Sequence, residues 1–220
     1  MLIKKSYKGI SIMETILAFL IMSLLMTVIY SLLAKGLYGL RFSSNKMDTT
    51  QTALTFLHRI YRELIISNYA YISIDDTTDP NNPVIAFPCP YDGNNLVHTD
   101  DTDGTLLWYK YILYYKNSNK IWEREISMGT AQGTAPGEIL EEFYFPDGTG
   151  SPQLLTYYKT AIHTDIKPDS PAAYFVDSLK FTRNDKARSI TIEIEIIDPR
   201  NKEQGFKPAR EKLVVIPMNN

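Results

Sequence analysis

Glu14 is the only acidic residue among the first 47 of this chain, and it stands directly ahead of an uncharged, mostly apolar run from Thr15 to Ala34. Holding a charged side chain in hydrocarbon costs about 2.5–3.5 kcal/mol on insertion scales, so a carboxylate there needs a task. Its chemistry is that of an anion seeking a cation, because burying it unpaired is expensive. Lys4, Lys5 and Lys8 precede it, and Gly9 separates the last lysine from the segment that carries the acid.

Other reactive side chains form no constellation of comparable content. His58, His98 and His163 are isolated from one another and from Cys89, and no H-E-x-x-H, C-x-x-C or G-x-S-x-G spacing occurs. His58 falls within a helical pattern and reads as a surface or packing residue. Catalysis is not expected, nor is a cofactor or a metal. Asp101, Asp103 and Gly104 faintly resemble a calcium loop, since calcium favours several carboxylates on a flexible turn. The following Leu-Leu-Trp-Tyr supplies no closing glutamate, so the stretch reads as a solvated turn. Trp108, Tyr109, Tyr111, Tyr114 and Tyr115 are dense enough to suggest core on one side and a protein interface on the other, in preference to a carbohydrate site.

Charge narrows the partners. The net value is −2, with no basic stripe of the kind that neutralises phosphates, so direct contact with nucleic acid is not expected. Cys89 is the single cysteine, which excludes an internal disulfide. The part beyond the apolar run must cohere through its own core, for which it is long enough.

Thr15 to Ala34 spans 20 residues, about 30 Å as a helix, which matches a hydrocarbon core and makes membrane lipid an expected partner. The three lysines ahead of it keep the first residues in the cytoplasm and send the chain beyond Lys35 across the membrane. An ordinary signal peptide is the alternative, but the run is long for one and no A-x-A-like ending follows. A plain signal anchor fits the length and leaves Glu14 without a role.

No proline occurs between Met1 and Ile74. From Met47 onward Ala53, Leu54, Leu57, Ile60, Tyr61, Leu64 and Ile65 recur at helical spacing, with Thr55, Arg59, Arg62 and Glu63 between them as a polar side. Gly36 and Gly39 each cost about 1 kcal/mol in a helix, and one long helix loosened near them is predicted. Past Asn68 the chain is strand-rich. Tyr69–Ile74, Leu106–Tyr115, Lys120–Ile126, Glu138–Phe145, Leu154–Thr160, Phe175–Thr182, Ser189–Ile197 and Lys212–Ile216 are candidate strands, with hairpins at Asn117–Asn119 and Arg183–Arg188. Loops are predicted over Asp75–Pro83, Pro88–Gly104, Gly129–Gly137, Asp147–Pro152 and Pro199–Pro208. The fold class is α+β, a long N-terminal helix whose outer half covers an antiparallel sheet. The segments are 1–9, a cytoplasmic leader; 10–35, membrane-spanning; 36–68, the outer amphipathic helix; and 69–220, the strand-rich domain.

The segment Lys8 to Met26, K-G-I-S-I-M-E-T-I-L-A-F-L-I-M-S-L-L-M, resembles the processing and assembly signal of type IV pilins and type II secretion pseudopilins. The likeness covers roughly the first 35 residues by motif, and the rest by layout. It implies cleavage after Gly9 by a prepilin peptidase, N-methylation of Ile10, and an assembly role for Glu14, with Lys4, Lys5 and Lys8 as leader charges. Ile10 stands where phenylalanine is most frequent, and Ser11 where threonine is frequent. Ala53 to Ile65 is similar to the J-type minor pseudopilin of secretion and to the W-type minor pilin of type IV pili. The resemblance implies an inner-membrane precursor with an extracytoplasmic domain, then a filament subunit among other minor and major pilins or pseudopilins. A competence pseudopilus component remains open, and a membrane-anchored enzyme or binding protein is the alternative from another class.

Overall fold

The computed structural model describes residues 11–76, 79–92, 94, 96–102, 104–132, 139–140, 155–161, 165–198, 202 and 207–218. The longest element is α1, Ile12–Ile65. The chain divides into two compact units, Met1–Lys46 and Met47–Asn220.

In the first unit α1 passes through Gly36 and Gly39 without interruption, and a methyl group at either would meet nothing within 4 Å. Its large apolar side chains from Ile12 to Leu40 are exposed, and this helix is long and apolar enough to cross a membrane. Two hydroxyls within the apolar run are satisfied locally. Ser23 Oγ donates to the Leu20 carbonyl at 2.9 Å and Thr27 Oγ1 to the Ser23 carbonyl at 2.8 Å. Such back-bonding lets a polar side chain face lipid without an orphaned donor.

The second unit holds the rest of α1 and two antiparallel sheets. The first consists of β1 (Ser73–Asp75), β2 (Val84–Cys89), β3 (Trp108–Asn117), β4 (Lys120–Gln132) and β5 (Ser170–Tyr174), in that spatial order. The second consists of β6 (Val176–Asn184), β7 (Ser189–Ile196) and β8 (Ala209–Val215). Both predicted hairpins form. Asn117 pairs with Lys120 across a two-residue link in which Ser118 takes φ +58°, and Asn184 pairs with Ser189. Phe175, at φ +61°, is the corner where the chain leaves one sheet for the other. Its carbonyl accepts the Ile197 N–H, and the next amide, Val176, donates to the Asn119 carbonyl.

Ala53, Phe56, Leu57, Ile60 and Leu64 of α1 lie in one core with Ile85, Phe87, Ile112 and Tyr114 of the first sheet and Phe181, Ile190, Ile192 and Ile194 of the second. The predicted isoleucine face of β7 is thus buried, while Thr191, Glu193 and Glu195 are half-buried. Opposite, a second core gathers Val84, Ala86, Trp108, Tyr111, Leu113, Tyr115 and Ile126 beneath Leu140, Leu155 and Tyr158.

That second core corrects several expectations. Leu154–Thr160 is not a strand: Leu155–Tyr158 forms one helical turn, α2. The buried Arg124 guanidinium holds it by donating to the Tyr158 carbonyl at 2.7 Å and the Ala161 carbonyl at 3.0 Å, with Asp169 as counter-ion. The aromatic run is not an interface, because Trp108, Tyr111, Tyr114 and Tyr115 are buried and β3 is covered on both faces. β2 is not among the candidate strands, and its last two residues, Pro88 and Cys89, fall in the predicted loop Pro88–Gly104. Pro88 is tolerated because β1 pairs only with Val84, Ile85 and Ala86, so no strand lies beside the missing N–H. β4 runs past Ile126 to Gln132 through Gly129 at φ +80°, and Trp108 meets Gln132 beyond a register shift. Tyr69–Tyr71 is a 3-10 turn leading into β1, capped by Asn68. The expected strand Glu138–Phe145 lies largely outside the described residues, as do most of the loops Asp147–Pro152 and Pro199–Pro208.

Because the α1 stripe is shared by two sheets, a chain beginning at Thr49 should be soluble and unfold cooperatively. One beginning at Tyr69 should expose both inner faces and aggregate, as light scattering and thermal melting would record. A similar cooperative melt for the shorter chain would show that the helix is not part of the core. Within the full chain, Phe56→Ala should cost about 3–5 kcal/mol in denaturant unfolding.

Candidate functional site

The head of α1 is built from Ser11-Ile-Met-Glu14. Ser11 precedes the first helical residue, and its Oγ accepts the Met13 N–H at 3.3 Å. Glu14 reaches back so that its Oε2 accepts the Ser11 N–H at 3.0 Å. The first helical bond follows, from the Thr15 N–H to the Ser11 carbonyl at 3.1 Å, and Thr15 Oγ1 donates to the same carbonyl at 3.3 Å. This reciprocal arrangement is a capping box, and it satisfies donors that a helix start otherwise leaves bare. The signal was present in the sequence as Ser-x-x-Glu, although the carboxylate alone drew the reading there.

Glu14 therefore does one job within its own chain: it helps to start the helix. A negative group also suits the positive end of a helix dipole. Ser11 and Glu14 are brought together; Gly9, Ile10, Lys4, Lys5 and Lys8 lie outside the described residues.

Among the described residues the dispersed candidates stay dispersed. His58 is exposed on α1. His98 Nε2 lies 2.9 Å from Asp92 Oδ2, and its ring meets Tyr109 edge-on at 5.8 Å between centroids. The Leu96 amide, then His98, hold the Asp92 carboxyl down at about 2. Asp100 spends a carboxylate oxygen on the Thr102 N–H at 2.7 Å, and its carbonyl receives the Gly104 N–H, so this acidic stretch is organised as a turn. Asp103 and His163 lie outside the described residues. Burial in the first core pushes the Cys89 thiol up to about 12, which leaves it unreactive at neutral pH.

One residue of the predicted polar side, Glu63, is in fact turned inside, where it meets buried polar groups of the first sheet. Tyr114 Oη lies 2.7 Å from Glu63 Oε2 and 2.9 Å from Glu123 Oε2, and Arg59 pairs with Glu123 at 2.5 Å. Helical spacing puts Glu63 with Thr55, Arg59 and Arg62 on the polar face of the outer helix, but its side chain is only 14% exposed, and that of Glu123 5%. Burial, reinforced by the nearby Glu123 charge, pushes the Glu63 carboxyl up to about 7, against the Tyr114 hydrogen bond and the Arg59 and Lys110 charges. Burial likewise raises the Tyr114 phenol. Helical period alone cannot reveal this, since residue 63 sits at the margin of the stripe and its partners come from β3 and β4.

Comparison with known protein families, with characterised proteins and with solved structures found no match to this chain.

The capping box carries its own test. Ser11→Ala removes the acceptor for the Met13 N–H and should weaken the first turn by about 0.5–2 kcal/mol. Amide exchange at Ile12 to Glu14 of the full chain in detergent micelles should accelerate several-fold, with Leu20 to Thr27 unchanged. Equal exchange in both proteins would mean that the cap does not hold the helix start.

Proposed function

We propose that this chain is a minor pilin-like subunit, a non-enzymatic structural component near the tip of a type II secretion pseudopilus or a type IV pilus, where it supports filament initiation. The observation that carries the reading is the combination of Lys4, Lys5 and Lys8, Gly9, and Glu14 at the head of an apolar, membrane-length helix. An outer helical part built into a sheet domain supports it, because such a subunit must present a folded domain beyond the membrane.

Processing would remove residues 1–9 and leave a methylated ammonium at Ile10, four residues ahead of Glu14 and about 6 Å away along a helix axis. Apolar helices side by side in lipid gain little from one axial register over another. An ammonium of one chain against Glu14 of its neighbour supplies that preference, because in a low dielectric the pair attracts strongly and either charge alone is costly. Within its own chain Glu14 Oε2 is already bonded to the Ser11 N–H. A carboxylate has lone pairs to spare, so capping and pairing can coexist. The precursor would be a single-pass inner-membrane protein with its globular domain outside the cytoplasm.

Coexpression with a prepilin peptidase should shorten the protein by the residues up to Gly9 and leave N-methylated Ile10, read by intact mass; Gly9→Ala should block or slow the cut. A mature chain beginning near Lys35 would instead establish an ordinary signal peptide. Glu14→Gln separates the two roles, since glutamine also serves in a capping box but carries no charge. It should leave cleavage and helix start intact. Crosslinking to neighbouring subunits in membranes should fall at least about tenfold, as breaking a desolvated ion pair costs about 3–5 kcal/mol. Undiminished crosslinking of Glu14→Gln would remove the pairing role.

A further inference from the structure

Inside the second unit, where α1 meets β3 and β4, the hydrogen count does not close with every carboxyl ionised. Tyr114 has one phenolic hydrogen, and its oxygen lies within hydrogen-bond distance of two carboxylate oxygens, Glu63 Oε2 at 2.7 Å and Glu123 Oε2 at 2.9 Å. A phenol can donate to only one of them. The other contact would set lone pair against lone pair unless that carboxyl brings a hydrogen of its own.

The surroundings decide which carboxyl it is. Glu123 has the Arg59 guanidinium donating to the same Oε2 that faces Tyr114, so that oxygen already serves as the acceptor of a charge-assisted pair. Arg59 Nε is 3.8 Å from Glu63 Oε1, too far for a hydrogen bond. The consistent assignment is Glu63 O–H donating to Tyr114 Oη and Tyr114 O–H donating to Glu123, with Arg59 completing the chain. The groups facing Glu63 are Arg59 on its own helix, Lys110 and Tyr114 on β3, Glu123 on β4 and Cys89 on β2. From the second sheet this core receives Phe181, Ile190, Ile192 and Ile194.

We propose that Glu63 holds a buried proton shared with Tyr114, and that its release loosens the seating of α1 on the five-stranded sheet, so that the joint responds to pH. When the proton leaves, two carboxylates face one phenolic hydrogen and one guanidinium in a site water scarcely reaches. The inference stands on this local geometry and does not depend on the assembly reading.

The sign follows from linkage. A carboxyl whose affinity for a proton is raised by folding contributes stability that is complete below its unfolded value of 4.5, is lost as pH rises toward about 7, and changes no further above that. One such proton makes the unfolding constant rise by up to about tenfold per pH unit within that window. The test is denaturant unfolding of the full chain in detergent micelles, followed by Trp108 and Trp122 fluorescence, for the wild type and Glu63→Gln. Glutamine keeps a donor toward Tyr114 Oη and cannot ionise. The wild type should show the steeper fall in stability from pH 5 to 7, and the variant should lack that excess slope. Identical slopes would overturn the proposal. Should Glu63→Gln fail to fold, infrared titration of wild-type protein with carboxyl-labelled glutamate decides. A protonated-carboxyl stretch that persists at pH 6, shifts in frequency in Tyr114→Phe and falls to about half near pH 7 supports the assignment, and its absence at pH 6 overturns it.

Discussion

The second unit depends on one arrangement: the outer part of α1 is a core element for two sheets at once. Ala53, Phe56, Leu57, Ile60 and Leu64 lie in a core that also holds the inward faces of the five-stranded and the three-stranded sheet. A three-stranded sheet sits at the lower bound of independent stability, and ordering its strands costs entropy that a covered apolar face must offset. The helix gives both sheets a common surface to bury, at about 25 cal/mol for each Å² removed from water. The Phe175 corner and the β5–β6 continuity keep the sheets together at that surface.

A polar cost accompanies this arrangement. A helix seated between sheets brings a flanking residue inside, and here Glu63 meets Tyr114 while the more exposed Arg59 reaches in to Glu123. Buried ionic groups seldom add net stability against an apolar replacement, but leaving one unpaired is severe. Within the described residues no buried side-chain nitrogen or oxygen lacks a partner, and the shared Tyr114 contact is part of how that is achieved. The second core shows the same logic, with Arg124 satisfying two carbonyls of a segment that has little regular structure of its own.

In the first unit the physics is different, because the apolar surface of α1 is turned outward. There the helix is self-sufficient in hydrogen bonds, including the hydroxyls of Ser23 and Thr27, and its head is closed by Ser11 and Glu14. A charged group that also caps a helix has a reason to be present in a single chain, before any neighbour is considered. The proposed assembly role adds a second use to a residue that the local backbone already employs.

The features legible in the sequence were those set by short-range periodicity. The long helix, the α+β class, the two hairpins and the alternation of Ile190, Ile192, Ile194 and Ile196 follow from spacings of 3.6 and 2, which neighbours along the chain enforce by themselves. The Gly9 and Glu14 spacing on which the proposed processing rests is likewise local, and Gly9 lies outside the described residues. What only the tertiary structure decided was which faces are covered. β2 is a strand despite Pro88 because β1 stops short of it, and Leu155–Tyr158 coils because Arg124 captures its carbonyls. The aromatic residues of β3 became core because a distant segment closes over them, and Glu63 went inside because Tyr114 and Glu123 arrive from elsewhere in the chain. Burial is a property of the assembled layers, and no window of neighbouring residues contains it.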